Sequence, residues 1–283
     1  MSNKSKYSQS FKILKKKELC PDTYWYEIEA PYIAKKLLAG QFIIIRPKEH
    51  SERIPLSIAG WDRDKGTIHI IVMSAGYTTG ELNGMGEGDC FSDIVGPLGV
   101  RSHVSKQDGT CVVIGGGYGT GAILPTAQDL SDLGNRVVGI VGARNKDLLL
   151  MIDELGEACD EVMLTTNDGS IGTEGFVTHA LQKILDAGEK VSSVLAVGPV
   201  PMMMAVAAMT KPLGIQTWVS LNAIMVDGTG MCGACRVSVD GKTKFACFHG
   251  PDFDAHKVDF GELMKRQKMF VEKEKEAIEA YSK

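Results

Sequence analysis

The stretch that decides the fold is Cys111-Val-Val-Ile-Gly-Gly-Gly-Tyr-Gly-Thr-Gly-Ala122, near the middle of the chain. A short apolar run, Cys111–Ile114, leads into a glycine-rich turn, and a helical pattern follows. Gly117, Gly119 and Ala122 have the spacing of a dinucleotide-binding turn. Glycines there allow a tight turn and bring a phosphate close to the N-terminus of the next helix. The stretch therefore predicts a strand, a nucleotide-binding loop and a helix.

Downstream of this stretch, apolar runs alternate with helical patterns, which predicts a parallel sheet wound on both faces by helices. The predicted strands are Val137–Val141, Glu161–Thr165, Val194–Val197 and Trp218–Asn222. The predicted helices are Leu149–Gly156 and Gly175–Leu185. The turn Gly198-Pro-Val-Pro-Met-Met-Met204 follows the third of these strands.

Upstream, from Phe11 to about Gly99, short apolar runs rich in β-branched and aromatic residues are separated by turn residues. This spacing predicts a small antiparallel barrel, with a helical turn in Pro31–Leu38. The predicted strands are Tyr24–Glu29, Gln41–Arg46, Arg53–Ile58, Thr67–Val72 and Asp93–Val95.

Two motifs in the predicted barrel carry groups that could hold phosphate. Arg53-Ile-Pro-Leu-Ser57 places an arginine and a hydroxyl on one extended segment, and arginine can form two parallel bonds to a phosphate. Ala75-Gly-Tyr-Thr-Thr-Gly80 could bring backbone N–H groups close to a second phosphate or a ribityl chain. Taken singly, each motif is explained better by a plain feature: an exposed arginine on an edge strand for the first and an ordinary glycine-rich turn for the second.

A cysteine-rich loop lies in the last quarter of the chain. Asp227-Gly-Thr-Gly-Met-Cys-Gly-Ala-Cys235, with Cys247 twelve positions later, contains three of the seven cysteines. Three thiolates are one ligand short of an iron–sulfur cluster or a tetrahedral zinc site, and Asp227 and His249 are the nearest candidates. We predict a [2Fe–2S] site in which Asp227 takes the first position of a ferredoxin-like spacing, followed by Cys232, Cys235 and Cys247.

Three other interpretations of this loop remain open from the residues alone. The first is a structural zinc site formed by the three cysteines and His249. The second is a redox-active pair, Cys232 and Cys235, although no thioredoxin-like strand and helix surround it. The third is a set of buried thiols without a ligand, because free cysteine is a common core residue.

Composition limits the classes of function. A length of 283 residues suits two domains with a small added module, and a net charge of −4 gives no support for a nucleic-acid surface. Val194–Met209 is apolar but is broken by glycine and proline, so we expect no membrane span, and polar Met1–Lys17 predicts no signal peptide. Scattered cysteines fit a reducing compartment. The expected location is the cytoplasm.

The barrel motifs, the glycine loop and the later Gly-Pro turn together resemble the ferredoxin–NADP reductase superfamily. The resemblance implies an antiparallel flavin-binding barrel followed by a doubly wound parallel nucleotide-binding domain. The chain departs from that family at Val197, where many members have cysteine, and at Gly121-Ala122, where Ala-Pro is commoner. For FAD, the implied residues are Arg53, Pro55, Leu56, Ser57, Gly76, Thr78 and Thr79. For the nicotinamide nucleotide, they are Gly116, Gly117, Gly119, Thr120, Gly198, Pro199 and Met202.

The choice between NAD(H) and NADP(H) depends on the residues after the second and third strands of this domain. An acidic residue favours a free ribose, whereas cations favour the extra phosphate of NADP. Ala143-Arg144-Asn145 follows one strand and Asn167-Asp168-Gly169 follows the next. We predict NAD(H), with Asp168 facing the adenosine ribose and NADP(H) as the alternative.

The order of flavin barrel, nicotinamide domain and small C-terminal iron–sulfur module resembles the electron-transfer subunits of dihydroorotate dehydrogenase type B. The aspartate at position 227, together with Gly250–Phe260, looks like the small (alpha) subunits of NADH-dependent reduced ferredoxin:NADP+ oxidoreductases. Those enzymes are electron-bifurcating transhydrogenases, and related chains are described as sulfide dehydrogenase or sulfhydrogenase subunits. The resemblance implies a larger partner subunit with a second flavin and [4Fe–4S] clusters, which handles ferredoxin and NADP(H).

The predicted function is hydride exchange between NAD(H) and FAD, with single electrons passing through the [2Fe–2S] cluster to or from that partner. No general acid, base or nucleophile is predicted. The rivals are a dihydroorotate dehydrogenase electron-transfer subunit and a nucleotide-binding module with structural zinc and no turnover. The predicted division is 1–106 for the flavin domain, 107–222 for the nucleotide domain, 223–262 for the cluster module and 263–283 for a C-terminal helix.

Overall fold

The structure is a computed structural model and describes residues 11–281. The expectation about a signal peptide in Met1–Lys17 therefore falls largely outside the described residues. Within residues 11–281, no helix is both long enough and apolar enough to cross a membrane.

The first third of the chain forms a seven-stranded antiparallel sheet in the order β6-β1-β2-β5-β4-β3-β7. Its two edge strands are joined by Ser92 alone, so the sheet curls into a nearly closed barrel, as predicted. The strands are β1 Phe11–Cys20, β2 Thr23–Glu29, β3 Phe42–Arg46, β4 Ile54–Asp62, β5 Thr67–Met73, β6 Cys90–Phe91 and β7 Asp93–Leu98. The helices are α1 Pro31–Ala34 and α2 Tyr77–Asn83.

Strand β1 was not among the predicted strands. Four of its ten residues are lysines, and only Ile13 and Cys20 are buried, so its apolar pattern is weak. It forms because β2 and β6 pair with it on its two sides and satisfy its backbone groups.

The middle of the chain forms the predicted parallel sheet, in the order β11-β10-β9-β8-β12-β13, with a final antiparallel strand described below. Its strands are β8 Thr110–Gly116, β9 Arg136–Ala143, β10 Glu161–Thr166, β11 Thr173–Glu174, β12 Val191–Val197 and β13 Gln216–Ser220. Its helices are α3 Gly119–Asp132, α4 Ile152–Ala158, α5 Val177–Asp186 and α6 Val200–Thr210. Helix α4 begins three residues later than predicted, because Met151 adopts a left-handed conformation with φ of 55°.

The last part of the chain contains a hairpin, β14 Arg236–Val239 and β15 Lys242–Phe245, then α7 Ala246–His249, β16 Asp252–Asp254, α8 Phe260–Gln267 and α9 Val271–Tyr281. Strand β16 pairs antiparallel with β13 and completes the nucleotide-domain sheet. It comes from the segment assigned by sequence to the cluster module, and the division at residue 222 stays a prediction. The single helix expected over 263–283 is two helices, and α9 lies against α2.

One of the three hydrophobic clusters in the described part of the chain contains residues of the barrel, the nucleotide domain and the last part. Phe42 and Ile44 of the barrel, Val219 of the nucleotide domain, and Cys247 and Phe260 of the last part belong to the same buried cluster. Burial of apolar surface stabilises the folded state by about 25 cal/mol per Å². The core therefore fixes the barrel, the sheet and the cysteine loop relative to one another.

Candidate functional site

A cleft of about 180 Å³ lies where three segments of the chain meet. Strand β4 supplies one wall with Pro55–Ser57. The glycine loop and the Gly-Pro turn supply the opposite wall through Gly119 and Gly198. The third segment is the end of β13 and the connection that follows it toward the cysteine loop, and it contributes Ser220, Leu221, Asn222, Ala223 and Met225. The remaining lining residues are Phe42, Ala59, Ile71, Tyr118, Gly121, Ala122, Val197 and Pro251.

The two ends of the Arg53–Ser57 motif face different places. Ser57 is exposed, lies opposite Phe42 of β3 and lines the cleft. Arg53 precedes β4 and is 42% exposed, with one guanidinium nitrogen 2.6 Å from Oδ2 of Asp93. Four strand residues span roughly 13 Å. An anionic group at Arg53 and a ring system beside Ser57 could therefore belong to one extended ligand, as the shape of FAD requires.

The second barrel motif is the start of helix α2 and not an open loop. The hydroxyl of Thr79 accepts hydrogen bonds from the backbone N–H groups of Ala75 and Gly76, both at 2.9 Å. Thr78 is buried, and none of Gly76, Thr78 and Thr79 lines the cleft. The Thr79 hydroxyl thus caps the helix and holds the preceding turn in place.

The glycine loop packs directly on the Gly-Pro turn. A Cβ at Gly119 would lie 2.3 Å from the carbonyl oxygen of Val197, and one at Gly116 would lie 2.5 Å from Sδ of Met202. The same added carbon at Gly116 would be 3.2 Å from Cδ of Pro199. The structure therefore brings Gly116, Gly119, Gly198, Pro199 and Met202 together, which the sequence could not show.

Two other loop residues differ in accessibility. Gly117 has φ of 56°, and open space surrounds the position of its missing side chain, as a backbone that receives a phosphate requires. Thr120 is 0% exposed, and its hydroxyl finds no hydrogen-bond partner in the described part of the chain. The side chain of Thr120 is therefore enclosed by protein, and Thr120 does not line the cleft.

Asp168 lies away from the other predicted nucleotide contacts. It follows β10, which is separated from the glycine-loop strand β8 by β9. Its Oδ1 accepts a hydrogen bond from the backbone N–H of Ser170 at 3.0 Å, and bonds from Ser170 hold the pKa of Asp168 below its usual range. Arg144, at the end of β9, is one strand nearer to the loop.

The cysteine loop brings two buried thiols into contact. The sulfurs of Cys235 and Cys247 are 3.1 Å apart, and the backbone N–H of Cys247 points at Sγ of Cys235 at 3.5 Å. Burial is the main cause that raises the pKa of Cys247, and the neighbouring Cys235 thiol raises it further. A bound cation is what converts such thiols to thiolates at neutral pH.

The other two predicted ligands form a second pair. Oδ2 of Asp227 accepts a hydrogen bond from the backbone N–H of Cys232 at 2.9 Å, and Oδ1 accepts one from Thr229 at 2.8 Å. These N–H groups, Thr229 first, hold the pKa of Asp227 below its usual range. Each carboxylate oxygen can accept more than one bond, so the ionised Asp227 can still bind a metal.

The positions of the four predicted ligands differ in how well they suit a single zinc ion and a [2Fe–2S] cluster. Among residues 11–281, no three His, Cys, Asp or Glu side chains converge tightly enough to hold a single metal ion. A tetrahedral zinc ion needs four donors around one point. A [2Fe–2S] cluster takes two protein ligands on each iron. The adjacent sulfurs of Cys235 and Cys247 would hold one iron, and Asp227 and Cys232, which are joined through the backbone N–H of Cys232, would hold the other. Nδ1 of His249 already accepts a bond from the backbone of Phe245 at 3.0 Å.

The cysteine loop rests directly on the barrel. Gly228 has φ of 73°, and a Cβ there would lie 2.6 Å from Cγ1 of Ile44 and 3.0 Å from Cδ1 of Leu98. Ile44 lies opposite Pro55 in the β3–β4 pair. The loop is therefore one strand away from the cleft wall, and only glycine permits that approach.

Sequence reasoning missed several cleft residues. Tyr118 is 45% exposed and forms part of the wall beside Gly119. Asn222 is held by Gln267 of α8, whose Nε2 donates to both its backbone and side-chain oxygens at 3.0 Å. Tyr118 lies within the glycine-rich stretch and Asn222 ends a predicted strand, but neither was assigned a role, because their places in the cleft depend on how distant elements pack.

Comparison with known proteins gives three kinds of match. A sequence profile for the iron–sulfur cluster binding domain of dihydroorotate dehydrogenase B matches residues 222–259. The dihydroorotate dehydrogenase B (NAD(+)) electron transfer subunit homolog of Thermotoga maritima is 43% identical over 96% of this chain and 95% of its own length. The corresponding electron transfer subunit of Desulforamulus reducens is 30% identical over 87% of this chain and 96% of its own length.

One solved structure is similar over nearly the whole chain. A chain of the NADH-dependent reduced ferredoxin-NADP oxidoreductase structure, reported for flavin-based electron bifurcation, is 41% identical. It superposes with a TM-score of 0.92 over 98% of this chain and 99% of its own. The chain therefore belongs to the family of dihydroorotate dehydrogenase B electron-transfer subunits and their homologues, which are flavin and iron–sulfur oxidoreductase subunits.

Proposed function

We propose that the chain exchanges hydride between NAD(H) and FAD and passes single electrons through a [2Fe–2S] cluster to or from a larger partner subunit. The observation that carries this proposal is the cleft in which the Pro55–Ser57 wall, the glycine loop and the approach to the cysteine loop meet. A flavin, when bound, can accept two electrons together and release them one at a time. A site for it between a nicotinamide and a one-electron carrier is what this activity needs.

The residues around the cleft would bind and orient the two nucleotides. Arg53 offers its remaining guanidinium donors to a phosphate, while Ser57 presents a hydroxyl to the cleft. Across the cleft, Gly119 and Gly198 have no side chains to fill the space. A nicotinamide ring could therefore approach the flavin ring from that side. No side chain on these walls has to act as a general acid or nucleophile for hydride to move.

For the nucleotide we propose NAD(H). The ionised carboxylate of Asp168 would repel the extra phosphate of NADP, and the low pKa of Asp168 keeps that charge present. The exposed Arg144 on the neighbouring strand end would act in the opposite direction. Measured dissociation constants of NADH and NADPH for wild type, Asp168→Asn and Arg144→Ala would decide between the two side chains.

For the electron outlet we propose the outer side of the cysteine loop. Three large apolar side chains there are solvent-exposed: Val226 at 58%, Met231 at 89% and Phe248 at 62%. Exposed apolar side chains clustered beside a functional loop mark a surface for another protein. By resemblance, that protein is a larger subunit with a second flavin and [4Fe–4S] clusters, through which electrons reach ferredoxin and NADP(H).

The test is purification of the native complex without oxygen. The four cysteines outside the loop are all free thiols, which supports a reducing, cytoplasmic location and makes anaerobic handling necessary. We expect flavin absorbance, at least two irons and two acid-labile sulfides per copy of this chain, and bleaching of the flavin by NADH. A preparation with one zinc, no iron and no flavin would show instead a non-catalytic nucleotide-binding module.

A second candidate is the electron-transfer subunit of a dihydroorotate dehydrogenase. The matched iron–sulfur domain and the relative of Desulforamulus reducens carry that name. The aspartate at position 227 is the feature that favours the transhydrogenase type, because the dihydroorotate dehydrogenase loop is expected to have cysteine there. Dihydroorotate oxidation by the native complex would establish the second candidate, and ferredoxin-linked NADPH oxidation would establish the first.

A further inference from the structure

A small cavity with a mixed polar and apolar lining lies next to the cleft. Ser57, Ala122, Val197 and Ser220 line both spaces, so the cavity and the cleft share these four residues as a common wall. Ser102 and Asp252 line its far side. The cavity therefore connects a buried carboxyl group to the wall against which the flavin is proposed to lie.

Asp252 is held in a specific orientation. Strand pairing places it opposite Ser220, and the hydroxyl of Ser102 donates a hydrogen bond to Oδ2 at 2.5 Å. The hydroxyl of Thr126 supports Ser102 at 3.2 Å. The residue is only 8% exposed, and its Oδ1 has no hydrogen-bond partner within residues 11–281. One carboxyl oxygen is thus fixed and the other is left for a proton.

The Asp252 carboxyl group has no oppositely charged partner among the described ion pairs. None of the ion pairs described in residues 11–281 includes this carboxyl group. Burial raises the pKa of Asp252, while the hydroxyls of Ser102 and Ser220 and the ring of His103 act in the opposite direction. His103 is the titratable group that faces it, and its ring stacks on Trp218 with centroids 3.7 Å apart. The acid can therefore take up a proton nearer to neutral pH than an exposed aspartate can.

We propose that Asp252 is a proton-holding residue of the cleft, whose Oδ1 exchanges a proton with the cleft through the hydroxyls of Ser220 and Ser57. The inference rests on the proposed function and goes beyond it, because it assigns the proton route.

The balance of the reaction leaves a proton for which Asp252 can be the acceptor. NADH gives up two electrons and one proton as hydride, but electrons that leave singly through the cysteine loop carry no proton. The overall change, NADH → NAD⁺ + H⁺ + 2 e⁻, leaves one proton in the cleft. The Asp252 carboxylate forms an O–H bond with this proton and later breaks that bond to release it to water. In the reverse direction it supplies the proton.

The test uses the anaerobic holoprotein and two matched variants, Asp252→Asn and Asp254→Asn. Asp254 lies two residues along β16 and pairs with Lys257 at the surface. Its substitution therefore shows the effect of changing an aspartate on this strand outside the cavity. Infrared difference spectra between the oxidised and NADH-reduced states would detect the C=O stretch of a protonated carboxyl. We expect this band in wild type and Asp254→Asn, with a shift in heavy water, and its loss in Asp252→Asn.

A kinetic measurement supplies the second readout. Positioned proton transfer contributes about 10²- to 10⁴-fold to a rate, so Asp252→Asn should slow cluster reduction after NADH addition by roughly 100-fold. If Asp252→Asn does not fold, Asp252→Glu should keep the band at a shifted position. A band that survives in Asp252→Asn, a band missing from wild type, or an unchanged rate would overturn the proposal. Failure of NADH to bleach the flavin in wild type would instead overturn the proposed function.

Discussion

The thiol sulfurs of Cys235 and Cys247 lie 3.1 Å apart, although twelve positions separate the two residues. The hairpin of β14 and β15 explains this contact. The hairpin pairs Arg236, which follows Cys235, with Phe245, which lies two residues before Cys247. The backbone N–H of Ala246 also donates a hydrogen bond to the carbonyl oxygen of Cys235 at 3.0 Å. The hairpin thus brings Cys247 back beside Cys235 of the cysteine loop.

The Cys235–Cys247 contact leads to a first prediction. Cys247→Ser should remove most of the cluster, since a neutral hydroxyl is a poor replacement for a thiolate ligand. Iron and acid-labile sulfide analysis, with visible absorbance, should show the loss. Cys90→Ser is the matched control, because Cys90 is an exposed free thiol on β6 of the barrel. Equal cluster content in the two variants would exclude Cys247 as a ligand.

The second prediction concerns Asp227. Asp227→Cys should keep the cluster but change its midpoint potential and its EPR spectrum, because thiolate donates more to iron than carboxylate does. Thr229→Ala is the control: it keeps the backbone N–H that bonds to Asp227 and alters no ligand. A potential and spectrum equal to those of wild type would mean that Asp227 only orders the loop through its two backbone bonds.

The third prediction tests the contact between the glycine loop and the Gly-Pro turn. In Gly119→Ala the added carbon would lie 2.3 Å from the oxygen of Val197, so the loop must move. We expect a loss of about 1–3 kcal/mol in the free energy of unfolding and weaker NADH binding. Gly156→Ala is the matched control, since open space surrounds Gly156 in helix α4. That change should stabilise the protein by roughly 0.5–1 kcal/mol.

The fourth prediction tests the proposed contact between Arg53 and a phosphate of FAD. Arg53→Ala should weaken FAD binding by roughly 10- to 100-fold, because hydrogen bonds to a charged group contribute about 1.5–3 kcal/mol. Fluorescence titration of the deflavinated protein with FAD would measure it. Arg136→Ala is the control, since Arg136 is likewise 2.6 Å from a carboxylate, that of Glu189, but in the other domain. The same loss of affinity in both variants would contradict a role for Arg53 in the site.

The fifth prediction is a pH dependence of stability. The folded-state pKa of Asp252 is raised above its ordinary value of 3.8. Its contribution to stability is therefore fully present below about pH 3.8 and is lost as the pH rises through the folded-state pKa. Urea unfolding at several pH values should show wild type losing stability relative to Asp252→Asn as the pH rises toward neutrality. A difference that stays constant with pH would show that Asp252 keeps an ordinary pKa.

Local patterns were sufficient for most of the secondary structure. The strands of the barrel that alternate apolar and polar residues, and the strand, glycine loop and helix around Gly117, follow from short-range rules of burial and backbone freedom. Strand β1 was missed because lysines mask its pattern, and β16 was missed because its three residues are too few to give one. Both depend on a partner strand from elsewhere in the chain.

The sequence by itself determined the two-sheet architecture, the glycine loop and the types of residue in the cysteine loop. Only the tertiary structure decided which of these residues meet. It paired Cys235 with Cys247, placed Gly228 on the barrel strand beside the cleft wall, and put Asp252 behind Ser57. The physical reason is that motifs are encoded by neighbours along the chain, whereas a cleft is formed by packing between elements far apart in it.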